Sequence, residues 1–247
     1  MKKILIAIFT ILSLGASAQG WRDIHLGIHT GLDLGAAVPW PINKAIGGGD
    51  KMNATPHITP ALGLSVEYQF LPRWSLVAEA TYKTVALDAS IITLRNGQKF
   101  QDDGFGVTFY GRAKMSMSFS MLEVPLYFKF KINDNNRVFL GGYYAYVADS
   151  KFVATAMDGR LEKDDQQGGT TVDIIKPDSP FVQDFDDNLD NWDTGFQVGY
   201  ERKVWKKLTL SGRVSVGFKD IFKPNENYLD YSMWNMRGTL TLAYRIF

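Results

Sequence analysis

Apolar and polar residues alternate along parts of this chain with a period of two. In the first such stretch the even positions from Ile24 to Val38 are mostly apolar, whereas the odd positions from His25 to Gly35 carry histidine, aspartate or glycine. Successive side chains of a β-strand point to opposite faces, so this pattern predicts an amphipathic strand. The stretch exceeds the roughly 9–11 residues that a tilted strand needs to cross a bilayer, which favours a membrane strand.

The same alternation returns in seven further stretches. They are residues 62–70, 74–83, 122–131, 137–148, 192–201, 208–219 and 237–247. The connections between these strands are alternately long and short. The long connections span residues 39–59, 85–111, 149–190 and 221–235, and the short turns lie near Leu71, Asn133 and Trp205. Short periplasmic turns and long extracellular loops are the topology of outer-membrane barrels.

We therefore predict an all-β fold, an eight-stranded antiparallel up-and-down transmembrane β-barrel. The predicted location is the cell outer membrane, with both termini in the periplasm. A soluble β-sandwich would show the same alternation, because it also buries one face of each strand. The periodicity alone does not exclude that alternative.

Two stretches depart from the simple pattern. Met115, Met117 and Phe119 are apolar at odd positions, whereas the apolar residues from Leu122 onward occupy even positions. One inserted residue exchanges the two faces of a strand, so we predict a β-bulge near Met121. In residues 137–148 two adjacent glycines and three tyrosines obscure the alternation, and the pattern leaves the facing of that strand open.

The first residues have the anatomy of a secretion signal. Met1-Lys2-Lys3 supplies positive charge, residues 4–14 are apolar, and Ala16-Ser17-Ala18 matches a cleavage site of small residues. We predict a signal peptide in residues 1–18 and an outer-membrane β-barrel domain in residues 19–247. No later stretch reaches the roughly 18 apolar residues of a spanning helix.

The last strand carries a predicted signal for membrane insertion, formed by Tyr244, Ile246 and Phe247. These residues follow an alternating segment whose even positions, including Leu240 and Leu242, are predicted to face outward. Phe247 does not share their parity, which departs from the usual terminal signal of such barrels.

Composition removes several classes of function. The chain has 0 cysteines, which excludes disulfides, thiol catalysis and thiolate metal sites. A net charge of +1 gives no basic footprint for nucleic acid, so we expect no nucleic-acid partner. Aromatic residues reach 13%, as expected where aromatic girdles lie at both membrane interfaces.

The inward face of the predicted barrel carries charges of both signs. An eight-stranded barrel is just wide enough for side chains to fill it, and buried charges are tolerated only when they are paired. We therefore predict a polar network in the lumen. Its predicted members are the acids Glu67, Glu79, Glu123 and Glu201 and the bases Lys83, Lys129, Arg213, Arg237 and Arg245. A narrow ion path lined by the same groups is the alternative.

Few residues are candidates for catalysis or metal binding. His25 and His29 share one face, but four residues of strand separate them by about 13 Å, too far for one metal ion. We predict a hydrogen-bonded lumen histidine at each position. Ser116, Ser118 and Ser120 have no histidine nearby in sequence, and the Gly-x-Ser-x-Gly motif is absent. We predict no enzyme activity, no catalytic or metal-binding residue and no cofactor.

Residues 184–193 concentrate carboxylates and amides, the ligands that hard cations prefer. The spacing lacks the glycine and glutamate positions of an EF-hand loop. We predict a solvated acidic loop, and divalent-cation binding or bridging to lipopolysaccharide stays open.

Four segments resemble the small outer-membrane barrel proteins of Bacteroidetes-type bacteria, the PorT family or outer-membrane β-barrel domain. Residues 121–130, MLEVPLYFKF, resemble the strand Y-L-E-I-P-L-L-x-K of that family. Residues 138–144 resemble its following Gly-x-Tyr strand, residues 194–201 its sixth strand, and residues 216–222 its G-L-x-D-I strand end. The resemblance implies a fold more than an activity. Members are mainly barrels of unknown role, and the eponymous branch belongs to a secretion and gliding apparatus.

The predicted function is a structural or interaction role exerted through the extracellular loops, since loops on a rigid scaffold carry function. A component of a PorT-like secretion assembly and a narrow passive channel are the alternatives. Expected partners are outer-membrane lipid, lipopolysaccharide and, during insertion, the barrel-assembly machinery. If the protein is a component of a PorT-like secretion assembly, secretion-system proteins are further expected partners. The ligand, the conductance and the oligomeric state stay open.

Overall fold

Nearly all of the described chain is β-strand. The computed structural model describes residues 23–40, 51–102, 105–164, 169–223 and 232–246, so the predicted signal peptide and Phe247 lie outside the described residues. The strands are β1 (Ile24–Trp40), β2 (Lys51–Pro56), β3 (Ile58–Leu71), β4 (Trp74–Asp102), β5 (Phe105–Lys131), β6 (Asn136–Asp164), β7 (Thr170–Ile175), β8 (Phe181–Asp184), β9 (Trp192–Lys203), β10 (Leu208–Asp220) and β11 (Ser232–Arg245). Within these residues no helix has the length and apolar content to cross a bilayer.

Eight of these strands form a closed antiparallel ring. The ring order is β1, β3, β4, β5, β6, β9, β10 and β11, and β11 closes on β1 from the pair Gly27↔Arg245 to the pair Trp40↔Ser232. Ring order follows chain order, so the prediction of an eight-stranded up-and-down barrel is confirmed. Closure pairs both edges of every ring strand, which satisfies the backbone hydrogen bonds where lipid offers no partner.

The outer face of the ring is apolar over a continuous band. Leu64 on β3, Leu126 on β5 and Val198 on β9 are 62%, 54% and 49% exposed. So large an apolar surface is unfavourable in water, whereas in a bilayer it contacts acyl chains. The intervening residues of these strands lie inside the ring, as the alternation predicts.

Aromatic side chains gather at both ends of this band. At the end with the short turns, Trp74 packs on Phe130 with ring centroids 4.8 Å apart. At the other end Tyr144 and Trp192 stack with centroids 6.0 Å apart. Aromatic girdles favour the boundary between lipid and water, so the two groups mark the limits of the membrane band.

Three strands continue beyond the membrane band, and this corrects the predicted loops. Residues 85–102 and 105–111 are strand instead of loop, because β4 runs on to Asp102 and β5 begins at Phe105, and the two strands pair as far as Asp102↔Phe105. Likewise β6 runs on to Asp164, where a loop was predicted. β2 pairs with this part of β4, and β7 and β8 pair with this part of β6.

The extended sheet is called here the projecting section. It comprises β2, β7 and β8, the adjoining residues 57, 176–180, 185–191 and 221–223, and the parts of β4 after Lys83, of β5 before Met121 and of β6 after Val147. The remainder of the ring is called the membrane section.

The predicted exchange of faces within β5 is wrong. Odd-numbered residues of β5 are buried in both sections, from Met115 and Met117 in the projecting section to Glu123 and Lys129 in the membrane section. Near Met121 the surroundings of β5 change from lipid to water, but the odd positions remain the buried ones on both sides of that point. Outside the bilayer the apolar side chains of β5 face inward and the polar ones face water.

A bulge does lie at this level, but on the neighbouring strand. Ser120 pairs with Asp149 and Met121 pairs with Val147, so Ala148 of β6 is the extra residue. As a result the buried positions of β6 change from odd to even at Phe152 and Ala156, which keeps these apolar side chains inside. A second register shift, between Arg112 and Ala113 of β5, returns the buried position to odd at Leu161.

The interior of the projecting section is an apolar core. Its buried members include Val85, Leu87, Ala89, Met115, Met117, Phe119, Phe152, Phe185, Leu189 and Phe222. The Phe152 ring centroid lies 5.2 Å from that of Phe185 and 5.8 Å from that of Phe222. This section is therefore packed like a water-soluble protein, with burial of apolar surface as its main stabilising term.

Candidate functional site

The lumen of the membrane section contains a buried layer of four charged groups. Lys83 Nζ lies 3.0 Å from Asp33 Oδ2 and 2.9 Å from Glu123 Oε2. Arg237 Nη2 lies 2.7 Å from Glu123 Oε2. None of the four side chains is more than 1% exposed. Acids and bases alternate along this chain of contacts, so each charge has an opposite neighbour, as burial requires.

A second layer lies closer to the short turns. Arg213 Nη2 approaches Glu79 Oε2 at 2.7 Å, and the Tyr127 hydroxyl donates a hydrogen bond of 2.6 Å to Glu79 Oε1. The Arg213 guanidinium also lies 5.7 Å from the Tyr127 ring centroid, within cation–π range.

The third layer is nearest the short turns. Lys129 Nζ bridges Glu67 at 3.0 Å and Glu201 at 2.9 Å. Arg137 Nη1 contacts the other Glu201 oxygen at 2.7 Å. Glu67 is 24% exposed, so this layer is the wettest of the three.

Inward glycines create room for the large side chains of these layers. Gly199 of β9 pairs with Phe139 of β6, and a Cβ at Gly199 would collide with the Phe139 ring. Gly195 stands in the same relation to Tyr143. The facing that the sequence left open is now defined: Tyr143 points into the barrel, whereas Tyr144 and Tyr146 are exposed outside.

Eight of the nine predicted network residues take part in these contacts. Arg245 does not join them, and lies half-buried at the barrel end with the short turns. The structure adds Asp33, Arg137 and Tyr127 to the network. Asp33 shares the odd-position face of β1 with the predicted lumen histidine His29, so its parity was a usable signal.

Asp193 is a further inward carboxylate outside the predicted set. It accepts hydrogen bonds from the Tyr143 hydroxyl at 2.9 Å and from the Asn235 side-chain amide at 3.0 Å. Immediately beyond it the apolar core begins with Met121 and Met233, both 0% exposed. Side chains therefore fill the lumen where the membrane section meets the projecting section.

The opposite end of the lumen is open. A cavity of about 520 Å³ begins at the short turns and reaches inward to Glu79 and Tyr127. The charged side chains that line it are Glu67, Arg73, Glu79, Lys129, Lys131, Asp134, Arg137, Glu201, Lys203, Lys206, Lys207 and Arg245. We call this cavity the basic vestibule.

The histidines occupy three different environments. His29 is buried, with Nε2 2.9 Å from Thr81 Oγ1, and His25 lines the basic vestibule. His57 is exposed in the projecting section, with Nε2 2.9 Å from Asp88 Oδ2. Within the described residues no three or more histidine, aspartate or glutamate side chains are grouped to hold a metal ion.

Asp88 also accepts a hydrogen bond from Ser116, and the hydrogen bond from His57 lowers the pKa of Asp88 below its usual value. This Ser–Asp–His order differs from that of a nucleophile triad, in which histidine stands between serine and the acid to take the serine proton. The arrangement therefore does not activate Ser116.

The predicted acidic loop is partly internal. Asp186–Asn188 form one turn of 3-10 helix between Phe185 and Leu189, which are both buried in the core of the projecting section. Asp190 forms an ion pair with Lys219, while Asp193 points into the lumen. These carboxylates serve separate contacts instead of converging on one point.

A closed eight-stranded ring with an apolar outer band and paired charges inside defines the class of outer-membrane β-barrel proteins. The family model described as outer membrane protein beta-barrel domain matches residues 16–223. The chain belongs to this family and is an outer-membrane protein. A search of curated proteins finds no significant match.

Solved structures of small outer-membrane barrels are similar to this chain at low sequence identity. Ail, the attachment invasion locus protein of Yersinia pestis, is 11% identical, with 90% of this chain and 98% of that chain covered and a TM-score of 0.40. CarO2 of Acinetobacter baumannii is 11% identical over 90% and 99%, with a TM-score of 0.39. The outer membrane protease OmpT of Escherichia coli is 14% identical over 91% and 95%, with a TM-score of 0.34.

Proposed function

We propose that this protein is a non-enzymatic interaction protein of the outer membrane, and that the projecting section presents its contact surface. The observation that carries the proposal is that β4, β5 and β6 continue beyond the bilayer as a sheet with its own apolar core. A packed sheet is a preorganised surface, so binding there loses less conformational entropy than binding to irregular loops.

The edge of this sheet at β7 is the proposed contact. Of the described strands, β7 pairs with β6 alone, so no strand of the described chain pairs with its other edge. Ile174 of β7 is 75% exposed and Val172 is 52% exposed, on a part of the chain that faces water. An open strand edge with exposed apolar side chains is a template for adding a partner strand.

The proposed orientation places the projecting section outside the cell. Its support is the asymmetry of the barrel, because short turns face the periplasm in this class and the extended hairpins lie at the opposite end. Both termini are then periplasmic. Outer-membrane lipid and lipopolysaccharide surround the apolar band, and the barrel-assembly machinery would insert it.

The proposal is tested by charging the β7 edge. We expect wild-type protein to crosslink on whole cells to a stoichiometric partner, and the double variant Val172→Asp, Ile174→Asp to lose it. The variant Ser90→Asp, Ser118→Asp adds the same charge to β4 and β5, where both edges of each strand are already paired, and should retain the partner. A solitary wild-type barrel, or equal crosslinking by both variants, would refute the proposal. Heat-modifiable migration on gels checks that each barrel is folded.

A component of a PorT-like secretion assembly is the second candidate. Its support is the resemblance of residues 121–130 and 138–144 to PorT-family strands. This candidate predicts that the crosslinked partner is itself a secretion-system protein and that deleting the gene blocks secretion. Normal secretion after deletion removes this candidate and leaves the first intact.

A passive channel has less support from the lumen. The layer formed by Lys83, Glu123 and Arg237 is almost fully buried, and Met121 and Met233 lie directly beyond it. The channel predicts discrete conductance steps in planar bilayers that change when Arg213 or Glu79 is neutralised. We expect no such steps.

A further inference from the structure

The basic vestibule has more positive charge than its own carboxylates neutralise. Among the described residues, its carboxylates are Glu67, Glu79, Asp134 and Glu201. Each is already in contact with a base. Glu67 and Glu201 bind Lys129, Glu79 binds Arg213, and Asp134 lies 2.6 Å from Lys131. The acids of the vestibule are thus committed to internal contacts.

Five bases of the vestibule remain outside these ion pairs. They are Arg73, Lys203, Lys206, Lys207 and Arg245. Among the described residues none of the five forms an ion pair with a carboxylate. Lys207 donates a hydrogen bond of 3.1 Å to the carbonyl oxygen of Ile246 and lies 5.9 Å from the ring centroid of Tyr244, and neither contact supplies a negative charge.

The position of these bases concentrates their field at one opening. Lys203 and Arg245 continue the inward faces of β9 and β11 beyond Glu201 and Thr241, and Arg73, Lys206 and Lys207 lie in the short turns beside them. Clefts lined by charge of one sign between low-dielectric walls focus the field and raise the local concentration of counter-ions. The walls here are the barrel itself, embedded in lipid.

The size of the vestibule suits a small molecule. Its volume of about 520 Å³ lies within the roughly 300–1,000 Å³ of ligand pockets. The floor is the satisfied contact of Tyr127 and Glu79, beyond which buried ion pairs fill the lumen. A ligand would therefore enter and leave by the same opening.

We propose that the basic vestibule is a binding site for an anion that carries two or more phosphate or carboxylate groups. Several bases spaced around one rim can contact such an anion together, whereas a singly charged ion meets only some of them. Lysine and arginine both form charge-assisted hydrogen bonds with phosphate and carboxylate oxygens. The anion is either a soluble molecule or the headgroup of an anionic lipid, since both present the same chemistry at this end of the barrel.

The test uses full-length protein in nanodiscs of phosphatidylcholine, with pyrophosphate as the probe and calorimetry as the readout. We expect saturable binding of one pyrophosphate that weakens as sodium chloride is raised, because exposed charges are screened. The variant Lys203→Gln, Lys206→Gln, Lys207→Gln, Arg245→Gln should bind about tenfold more weakly or worse. The control Lys114→Gln, Lys151→Gln, Lys163→Gln, Lys176→Gln removes the same charge from the projecting section and should bind as wild type.

Absence of saturable binding in wild type, or equal loss in both four-residue variants, would overturn the proposal. Should the first variant fail to show heat-modifiable migration, Lys203→Gln, Lys206→Gln repeats the test without touching the last strand. A second arm adds phosphatidylglycerol to the nanodiscs. Displacement of pyrophosphate by this lipid assigns the site to headgroups, and unchanged binding assigns it to a soluble anion.

Discussion

The membrane section and the projecting section use the same three strands with opposite chemistry. On β5 in the membrane section, Leu126 faces outward and Glu123 faces inward. Further along the same strand, Met117 faces inward while Ser116 is exposed outside. The backbone of β5 continues through both sections without exchanging its faces, so the solvent around the strand is what differs.

This comparison shows how the surroundings decide which face of a strand is apolar. In lipid, apolar side chains cover the outside and the narrow lumen is left to polar groups, which must pair with one another. In water, the apolar side chains collapse into a core and polar side chains cover the outside. The level of Met121 and Leu122 is therefore the boundary of the bilayer on β5, and each section should respond differently to the same kind of substitution.

The largest expected effect is on the ion pairs of the membrane section. Replacing Glu123 with glutamine leaves Lys83 and Arg237 without their shared counter-charge, at a cost of about 3–5 kcal/mol in the free energy of unfolding. Urea unfolding from lipid vesicles, followed by tryptophan fluorescence, measures this cost.

The projecting section provides the matched control. Glu162 forms an ion pair of 2.8 Å with Arg160, but the Arg160 side chain is 54% exposed. Exposed pairs contribute about 0–1 kcal/mol, so Glu162→Gln should have little effect. Equal costs for Glu123→Gln and Glu162→Gln would mean that water reaches the lumen layer and that the two sections do not differ in this respect.

The second prediction concerns the apolar core. Met117 is 2% exposed, and Met117→Ala should destabilise the projecting section by about 2–5 kcal/mol through lost burial and the cavity left behind. Hydrogen exchange of amides in β4, β5 and β6 beyond the bilayer should accelerate, whereas the heat-modifiable migration of the barrel should not change. The outward neighbour Ser118→Ala is the control, with an effect within about 0.5 kcal/mol. Loss of the folded barrel on the gel would show that the two sections unfold together.

The alternation was sufficient to predict the barrel because eight strands repeat one pattern in one solvent. It was not sufficient for residues 85–111, which were predicted to be a long connection, or for Met115, Met117 and Phe119, whose inverted pattern was interpreted as a bulge near Met121. A period of two reports which residues share a face, but it does not report which face meets lipid. Only the pairing of Met121 with Val147 and of Ser120 with Asp149 locates the extra residue on β6.

The charged network of the lumen was also predicted only in part. Parity identified the inward charges, and eight of the nine predicted residues contact one another across strands distant in sequence. Parity does not report depth along the barrel, which is why Arg245 was grouped with residues that lie deeper than it does. Which acid meets which base depends on the stagger of the ring, and one sequence does not contain that information.

The third prediction tests the outer face directly. Leu126→Arg places a charge on the lipid-facing side of β5 and should lower the free energy of unfolding by about 2–4 kcal/mol, the cost of an arginine near the middle of the bilayer. Ser116→Arg adds the same charge to the same outward face of β5, but at a position that water surrounds. It should change the free energy of unfolding by no more than about 0.5 kcal/mol. The difference between the two variants in vesicle unfolding measures the change of solvent along one strand. Similar values would place both positions in the same environment and contradict the boundary at Met121.

The smallest expected effect is a change in the pKa of Asp88, which lies on the water-facing side of the projecting section. The hydrogen bond from His57 is the main cause that lowers this pKa, with a second contribution from Ser116. His57→Ala should therefore raise the pKa of Asp88 toward its ordinary value, because the donor that favours the carboxylate is removed. Ser118→Ala, on the same face of β5, should leave it unchanged. Carboxyl-detected NMR titration measures both. Because Asp88 is exposed, we expect both variants to have the same free energy of unfolding as the wild type. Glu123→Gln, in the buried layer, is expected to lower it.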